Sequence, residues 1–403
     1  MKKSSLTCRA LVLGDILVEI SGGGPDQPVG RTVLIDEHVL LQNPGTAKIC
    51  TNFFRMIRPT TEICSQYLSQ YLGYFYSTGR IIPYQGGSNN LRNLKFNAYL
   101  TITIPIPPLD EQQRITAKIA AMFSELEKGI ESLKTARAQL QVYRQAAFKH
   151  AFEGKLTADW RKTAQAGAWE TTTLGSRLSF LTSGSRGWAR YYSDEGDIFI
   201  RAQNLKYDRL DLDDVAYVTL PEGSEGIRTQ VQAGDLLVTI TGANVTKTGY
   251  VPADLGNAYV SQHVALCRPT ADLDSKFLYW YLIAECAGRR QLNAFAYGAG
   301  KPGLNLDNIR SVRLELPPLA EQKAIVEQID RLLSVQETMN SIIDTELKRV
   351  EALRQSILKR AFSGRLVPQD PNDEPAAILL ERIKAEKAAA VTTGKRGGGR
   401  QTA

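Results

Sequence analysis

The chain comprises 403 residues with 49 Lys and Arg against 42 Asp and Glu, giving a formal net charge of +7 and a pI near 9.0; 43% of residues are hydrophobic and 23% charged. That is the composition of a multi-domain globular protein, and no stretch approaches the ~18–20 apolar residues needed to cross a bilayer, which excludes a membrane-spanning chain. Arg9 and Asp15 break the apolar run behind Met1, Lys2 and Lys3, so no secretory leader is expected. Cysteines at 8, 50, 64, 267 and 286, odd in number and without a Cys-x-x-Cys pair, read as free thiols in a reducing cytoplasm. His38, His150 and His263 are too few and too scattered for a metal site, and the mild positive balance permits a nucleic-acid partner.

In chain order, residues 1–106 form a β-rich segment of short apolar runs bounded by Gly and Pro. Pro107 and Pro108 open a helical segment, 107–156, in which Ile115, Ile119, Met122, Leu126, Gly129, Leu133, Ala136, Leu140, Tyr143 and Ala147 step by fours and threes, the heptad seam of a coiled coil. Residues 157–316 hold a linker and a second β-rich segment, with strands expected at Leu236 to Ile240 and Ala258 to Leu266. A second helical segment, 317–366, repeats the seam at Ile325, Ile329, Leu332, Gln336, Met339, Ile343, Glu346, Val350, Leu353 and Ile357. Each stripe needs an apolar partner, and the simplest is the other helix, antiparallel to it. The tail, 367–403, contains a short helix and a basic, glycine-rich end, Lys395 to Arg400, expected to be flexible.

The two halves are copies of one unit. Pro107, Pro108, Leu109, Glu111 and Gln112 recur as Pro317, Pro318, Leu319, Glu321 and Gln322 at an offset of 210, which also pairs Arg58 and Pro59 with Arg268 and Pro269. Farther upstream the offset becomes 220, matching Gly14, Asp15 and Leu17 with Gly234, Asp235 and Leu237. The copies differ at their starts. Residues 174–233 precede Gly234, whereas the first copy lacks an equivalent of Leu174 to roughly Glu222, a segment with several expected strands.

No catalytic motif survives inspection. Gly298, Gly300 and Lys301 suggest a phosphate loop, but Pro302 stands where Ser or Thr is required, and Gly22, Gly23 and Gly24 lack the spacing of a dinucleotide fold. The loops instead carry side chains suited to base edges and phosphates. In the second β-rich segment these are Ser183, Ser185, Arg186, Trp188, Arg201, Gln203, Asn204, Lys206, Thr241, Asn244, Lys247 and Lys301; in the first, Arg80, Tyr84, Asn89, Arg92 and Lys95. Arg and Lys match guanine O6/N7 and Asn and Gln match adenine N6/N7, the repertoire of major-groove readout.

With Pro317 to Gln322, the heptad helix behind them, and Ala361, Phe362, Ser363, Gly364, Arg365 and Leu366, the chain resembles the specificity subunit of type I restriction-modification enzymes, from about residue 11 to 387. Further matching pieces are Ile200 to Leu205, Gly234 to Leu237 and Leu304 to Ile309. The resemblance implies an α+β chain with two β-rich α/β target recognition domains joined by two long antiparallel coiled-coil helices in a pseudo-twofold internal repeat; the first domain departs from the family in being N-terminally shortened. It implies that each domain reads half of a bipartite double-stranded DNA target and that the subunit has no active site or cofactor of its own. Modification subunits that methylate adenine with S-adenosylmethionine, and restriction subunits driven by ATP and Mg, are the implied partners. The alternatives are a fused nuclease or methyltransferase, which would need motifs not visible here, and a coiled-coil scaffold that binds only proteins.

Overall fold

The computed structural model describes residues 9–24, 27–87, 91–221, 223, 228–296 and 302–396. Its contacts divide into two units, Met1–Leu133 with Asp344–Ala403, and Lys134–Ile343. The boundaries therefore fall inside the helical segments and not at their ends: the first part of each long helix groups with the β-rich body that precedes it in the chain, and the last part with the other body.

In the first unit the elements are β1 (Ile16–Glu19), β2 (Ser21–Gly23), β3 (Thr32–Leu34), α1 (Glu37–Leu41), β4 (Phe54–Ile57), α2 (Ser65–Ser77), β5 (Gln85–Gly86), β6 (Arg92–Leu94) and α3 (Phe96–Tyr99). β1 is the centre of an antiparallel sheet in the order β3-β1-β4, and β2, β6 and β5 make a second small sheet. Helix α2 buries Leu68, Tyr71, Leu72 and Phe75, a stripe at helical spacing, in one core with Ile16 and Val18 of β1, and its Tyr67 in another with Ile115 and Ile119.

The second unit continues with α4 (Leu109–Phe152, shared with the first), α5 (Ala158–Thr163), β7 (Glu170–Thr173), β8 (Leu178–Ser183), β9 (Tyr192–Ser193), β10 (Asp197–Ile200), β11 (Ala216–Val218), β12 (Leu236–Thr239), β13 (Thr248–Tyr250), β14 (Ala258–Val260) and β15 (Val264–Pro269). It closes with α6 (Ser275–Ile283), α7 (Gly288–Phe295), α8 (Leu306–Arg310), β16 (Arg313–Leu316) and α9 (Leu319–Phe362, shared). Two four-stranded sheets, β14-β10-β11-β9 and β13-β12-β15-β8, enclose a core of Ile200, Leu205, Leu237, Val260 and Leu266. The apolar run Ala258 to Leu266, read as one strand, is two: β14 lies parallel to β10, and after Ser261 to His263 the chain enters the other sheet as β15. β7 pairs with β16 in a separate two-stranded ribbon.

The repeat holds at the level of single atoms. In the first unit Arg58 donates to Asp15 through Nε and Nη2 at 2.7 and 2.8 Å, and the Val12 N–H donates to the same carboxylate. In the second, Arg268 does the same to Asp235 at 2.8 and 2.8 Å, with the Gln232 N–H in place of Val12. Gly14 (φ 87°) and Gly234 (φ 88°) precede these aspartates in the left-handed conformation that favours glycine. Likewise the Gln112 and Gln322 side chains donate to the carbonyls of Pro107 and Pro317 and accept the N–H groups of Cys64 and Asp274. A buried side-chain amide thus ties each long helix to its β-rich body.

Helices α4 and α9 have 44 residues each, about 66 Å at 1.5 Å per residue. In the first unit Ile115 and Ile119 pack with Ile357 and Ala361 while Glu127 pairs with Arg354, so the stretches run antiparallel. In the second, Phe148 and Ala151 share a core with Ile325 and Ile329, and Gln336 donates to the Leu140 carbonyl at 3.1 Å, again antiparallel. The strict heptad seam is corrected at matching places in both copies. Gly129 and Met339 are exposed and their neighbours Ile130 and Asn340 turn inward; Tyr143 and Leu353 are exposed and Arg144 and Arg354 turn inward. These extra four-residue steps bring the spacing to the ~3.6 of a straight helix, whereas an unbroken 3.5 repeat would demand a supercoil. Ile115, Ile119, Ile325, Ile329, Ile343 and Ile357 are buried, and Met122, Leu126, Leu133, Leu140, Leu332 and Val350 are half-buried.

The tail helix, α10 (Ala376–Arg396), has 21 residues and is longer than expected. Its Ala, Leu, Glu and Lys content favours helix strongly enough to carry it through Lys395 and Arg396, which the sequence reading left flexible. Residues 397–403 lie outside the described residues.

Candidate nucleic-acid interface

In the second unit the candidate loops lie where strands end or change sheet. A Cβ on Gly184 would stand 2.1 Å from the Val260 carbonyl oxygen, so only glycine lets the loop after β8 approach the end of β14. Arg228 fixes that loop, donating to the Ser183 carbonyl at 3.1 Å, to Ser185 Oγ at 2.8 Å and to Thr182 Oγ1. Where the chain passes between sheets, His263 Nδ1 bonds Thr241 Oγ1 at 3.1 Å and its Nε2 meets Gln262 at 3.2 Å.

The loop after β10 is fastened to the loop after β12. Asn244 donates to the Ala202 carbonyl at 3.2 Å and Lys247 to Asp208 at 3.2 Å. Asp208 also accepts the Thr248 N–H at 3.1 Å and pairs with buried Arg289, while its carbonyl takes the Tyr279 hydroxyl. These bonds hold Tyr207 and Asp208 at φ 57° and 59°, a left-handed pair that costs non-glycine residues of order 1–3 kcal/mol each and persists only where its surroundings impose it. The loop is therefore rigid, as base readout requires.

Arg186 and Lys206 are exposed, and Arg201 and Gln203 extend toward Asp214, at 3.4 Å from its carbonyl and 3.5 Å from its carboxylate. Among the described residues Arg201 Nε is buried without a hydrogen-bond partner, as is Ser261 Oγ, whose backbone N–H bonds the Ile200 carbonyl. Asp211, Asp213 and Asp214 make the surround mixed in charge, so this surface offers directional donors more than a uniform positive field.

Two candidates sit inside the fold. Trp188 is 5% exposed and stacks on Phe199 at 5.3 Å between ring centroids. Asn204 is 3% exposed; it accepts the Arg201 N–H at 2.9 Å and donates to the Asp211 and Asp214 carbonyls at 3.0 and 2.9 Å. Both shape the loops from beneath. Lys301 and Asn89 lie outside the described residues. In the first unit Arg80 covers the Phe75 ring at 4.7 Å and Tyr84 packs on the same ring at 5.7 Å, while Lys95 is exposed and Arg92 half-buried on the neighbouring hairpin. The sequence reading missed Arg228 and the Asp208–Arg289 pair, whose roles depend on contacts far along the chain.

The family model of the type I restriction modification DNA specificity domain matches residues 11–137 and 196–349, well over half of the chain. The chain belongs to that family. Over 354 residues it is 28% identical to the EcoKI specificity subunit of Escherichia coli K12, covering 84% of this chain and 75% of that one. Its fold matches a chain solved in work on assembly and conformational transition of the type I R-M system, with a TM-score of 0.67 at 20% identity over 89% of this chain and 84% of that one. The HsdS subunit from Thermoanaerobacter tengcongensis gives a TM-score of 0.56 at 20% identity over 89% and 82%. Both likenesses of fold extend over 89% of this chain. Among the described residues no helix is long and apolar enough to cross a membrane.

Proposed function

We propose that this chain selects the DNA target of a type I restriction-modification complex, each β-rich unit addressing one half of a bipartite sequence and the paired helices setting the gap. The second unit reads its half-site through Arg186, Arg201, Gln203 and Lys206, with Ser183, Ser185, Thr241, Asn244 and Lys247 on the fastened loops around them. Trp188 and Asn204 hold this surface from below. The carrying observation is the locked pair of loops after β10 and β12, fastened through Asp208, Arg289 and Asn244. A scaffold that binds only proteins has no need of polar loops held in a strained conformation.

Chemistry belongs to partners in this reading: adenine methylation to S-adenosylmethionine-dependent modification subunits, and cleavage to ATP- and Mg-dependent restriction subunits, all in the cytoplasm. An apolar groove of about 550 Å³ between the helices of the second unit, lined by Leu140, Tyr143, Val335, Met339 and Ile342, offers a place for a modification subunit to dock. The test is a methylation assay of this chain with its modification subunit on genomic DNA, read by sequencing. A defined adenine motif supports the proposal, and motif-independent methylation or activity from this chain alone contradicts it.

A further inference from the structure

Tyr207 stands where neither its backbone nor its side chain is at ease. The side chain is 81% exposed, and among the described residues its hydroxyl makes no hydrogen bond and no aromatic ring packs on it. Its backbone turns at φ 57° and that of Asp208 at φ 59°, with the Arg209 N–H returning to the Lys206 carbonyl at 3.3 Å. Two successive central residues at positive φ make a primed turn, which favours Asn-Gly or Asp-Gly because larger side chains are strained there. A bulky aromatic in the first central place runs against that preference, and no burial offsets it.

The turn is nevertheless clamped on both sides. Leu205, two residues before, is fully buried in the core with Ile200 and Leu237. Asp208, directly after, accepts the Thr248 N–H at 3.1 Å and Lys247 Nζ at 3.2 Å on its carboxylate, pairs with buried Arg289, and takes the Tyr279 hydroxyl on its carbonyl. Donors from β13, α6 and α7 thus converge on the residue next to Tyr207, and the ring stands on a rigid base. Tyr192, another exposed aromatic of this body at 47%, instead packs edge-on against Phe199 at 5.6 Å. Strain held in place by so many bonds, beneath a ring that faces solvent, marks a functional position.

We infer that Tyr207 is a base-contacting residue of the second unit, its ring wedging into one base step of the half-site and stacking on the face of a base; this rests on the reading of the loop after β10 as a reader of DNA. The chemistry of the ring and its footing picks the partner. Phosphates and base edges call for cations and amides, which Lys206 and Gln203 on the same loop supply. A flat apolar ring matches the π-face that every base presents. Prising a base step apart costs free energy, so a wedge works only on a backbone that does not yield, and the bonds to Asp208 provide one. A polypeptide partner would meet such a ring within an apolar patch, whereas the neighbours here, Lys206 and Arg209, are exposed and cationic.

The test uses the full chain with its modification subunit and a duplex carrying the motif mapped by methylation sequencing. Tyr207→Phe keeps the ring and should bind that duplex within about twofold of the parent. Tyr207→Asn suits a left-handed turn, so it should melt at the parent's temperature or higher while binding roughly tenfold more weakly, the scale of one lost base–aromatic stack. Its methylation motif should lose preference at one base step and keep the remaining positions. Tyr207→Trp sets an indole in the same place, and the duplex should quench its emission relative to the parent chain. Parent-like binding by Tyr207→Asn, binding by Tyr207→Phe as weak as by Tyr207→Asn, or indole emission unmoved by the duplex would each overturn the inference while a defined motif leaves the proposed function standing. A parent complex with no defined motif would instead overturn that function and this inference together.

Discussion

Replacing Glu321 by Gln removes a charge from a socket made for it. The side chain is fully buried, and three residues donate to its carboxylate, one of them an Arg161 guanidinium that is 29% exposed. The amide keeps the shape but turns one acceptor into a donor facing donors. Losing one charge-assisted hydrogen bond costs about 1.5–3 kcal/mol. Taking ~2 kcal/mol, the melting transition of a unit of this size falls by roughly 4–8 °C. Glu111→Gln replaces a buried carboxylate without donors by a neutral amide, and should shift the transition by under roughly 1 °C or raise it. The pH dependence follows from the same contrast. The folded pKa of Glu321 lies below its ordinary value, so its stabilisation is complete above the unfolded pKa and is lost as pH falls through the folded one. Glu111 is raised by burial, so its ionised form weakens the fold near neutrality and that penalty is relieved as pH falls. Differential scanning calorimetry of both variants at pH 7.5 and near pH 4 measures this. Equal shifts for the two variants, or a Glu321→Gln shift undiminished in acid, would refute the assignment of Thr157, Arg161 and Trp169 as the partners of Glu321.

The corrected helix phase predicts that Ile343→Asp, at a position 6% exposed, costs roughly 3 kcal/mol or more, whereas Leu353→Asp, at 43% exposed, stays within about 1 kcal/mol; urea denaturation distinguishes them, and similar losses would restore the strict heptad seam. In the loop after β10, Arg201→Ala should relax base preference at individual positions by about 1–3 kcal/mol with little effect on melting, while Asn204→Ala should lower melting as a lost buried cap, about 1–2 kcal/mol. Paired binding and melting curves separate the two roles.

The architecture was legible because duplication leaves its trace in residues that perform the same bond twice. The offsets that align Asp15 with Asp235 and Arg58 with Arg268 reappear as two ion pairs of matching atoms. Among the described residues β4 pairs with β1 alone, whereas its counterpart β15 has a partner on each side. The phase of the helices was less legible, since periods of 3.5 and 3.6 drift apart by only ~20° per heptad and both fit a list of apolar positions. Trp188 and Asn204 carry side chains equally suited to bases and to cores, and only the fold shows them stacked and capping. Arg228 gave no local signal, as its partners lie 43 to 46 residues away.

The central claim, that the loops of the second unit choose one half of the target, is tested most directly by exchanging residues 174–312 for the corresponding segment of another type I specificity subunit. Methylated adenines are then mapped in DNA from cells that also express the modification subunit. The account predicts that one half of the methylation motif changes to that of the donor while the other half, set by the first unit, stays as it was. A motif unchanged by the exchange would contradict it.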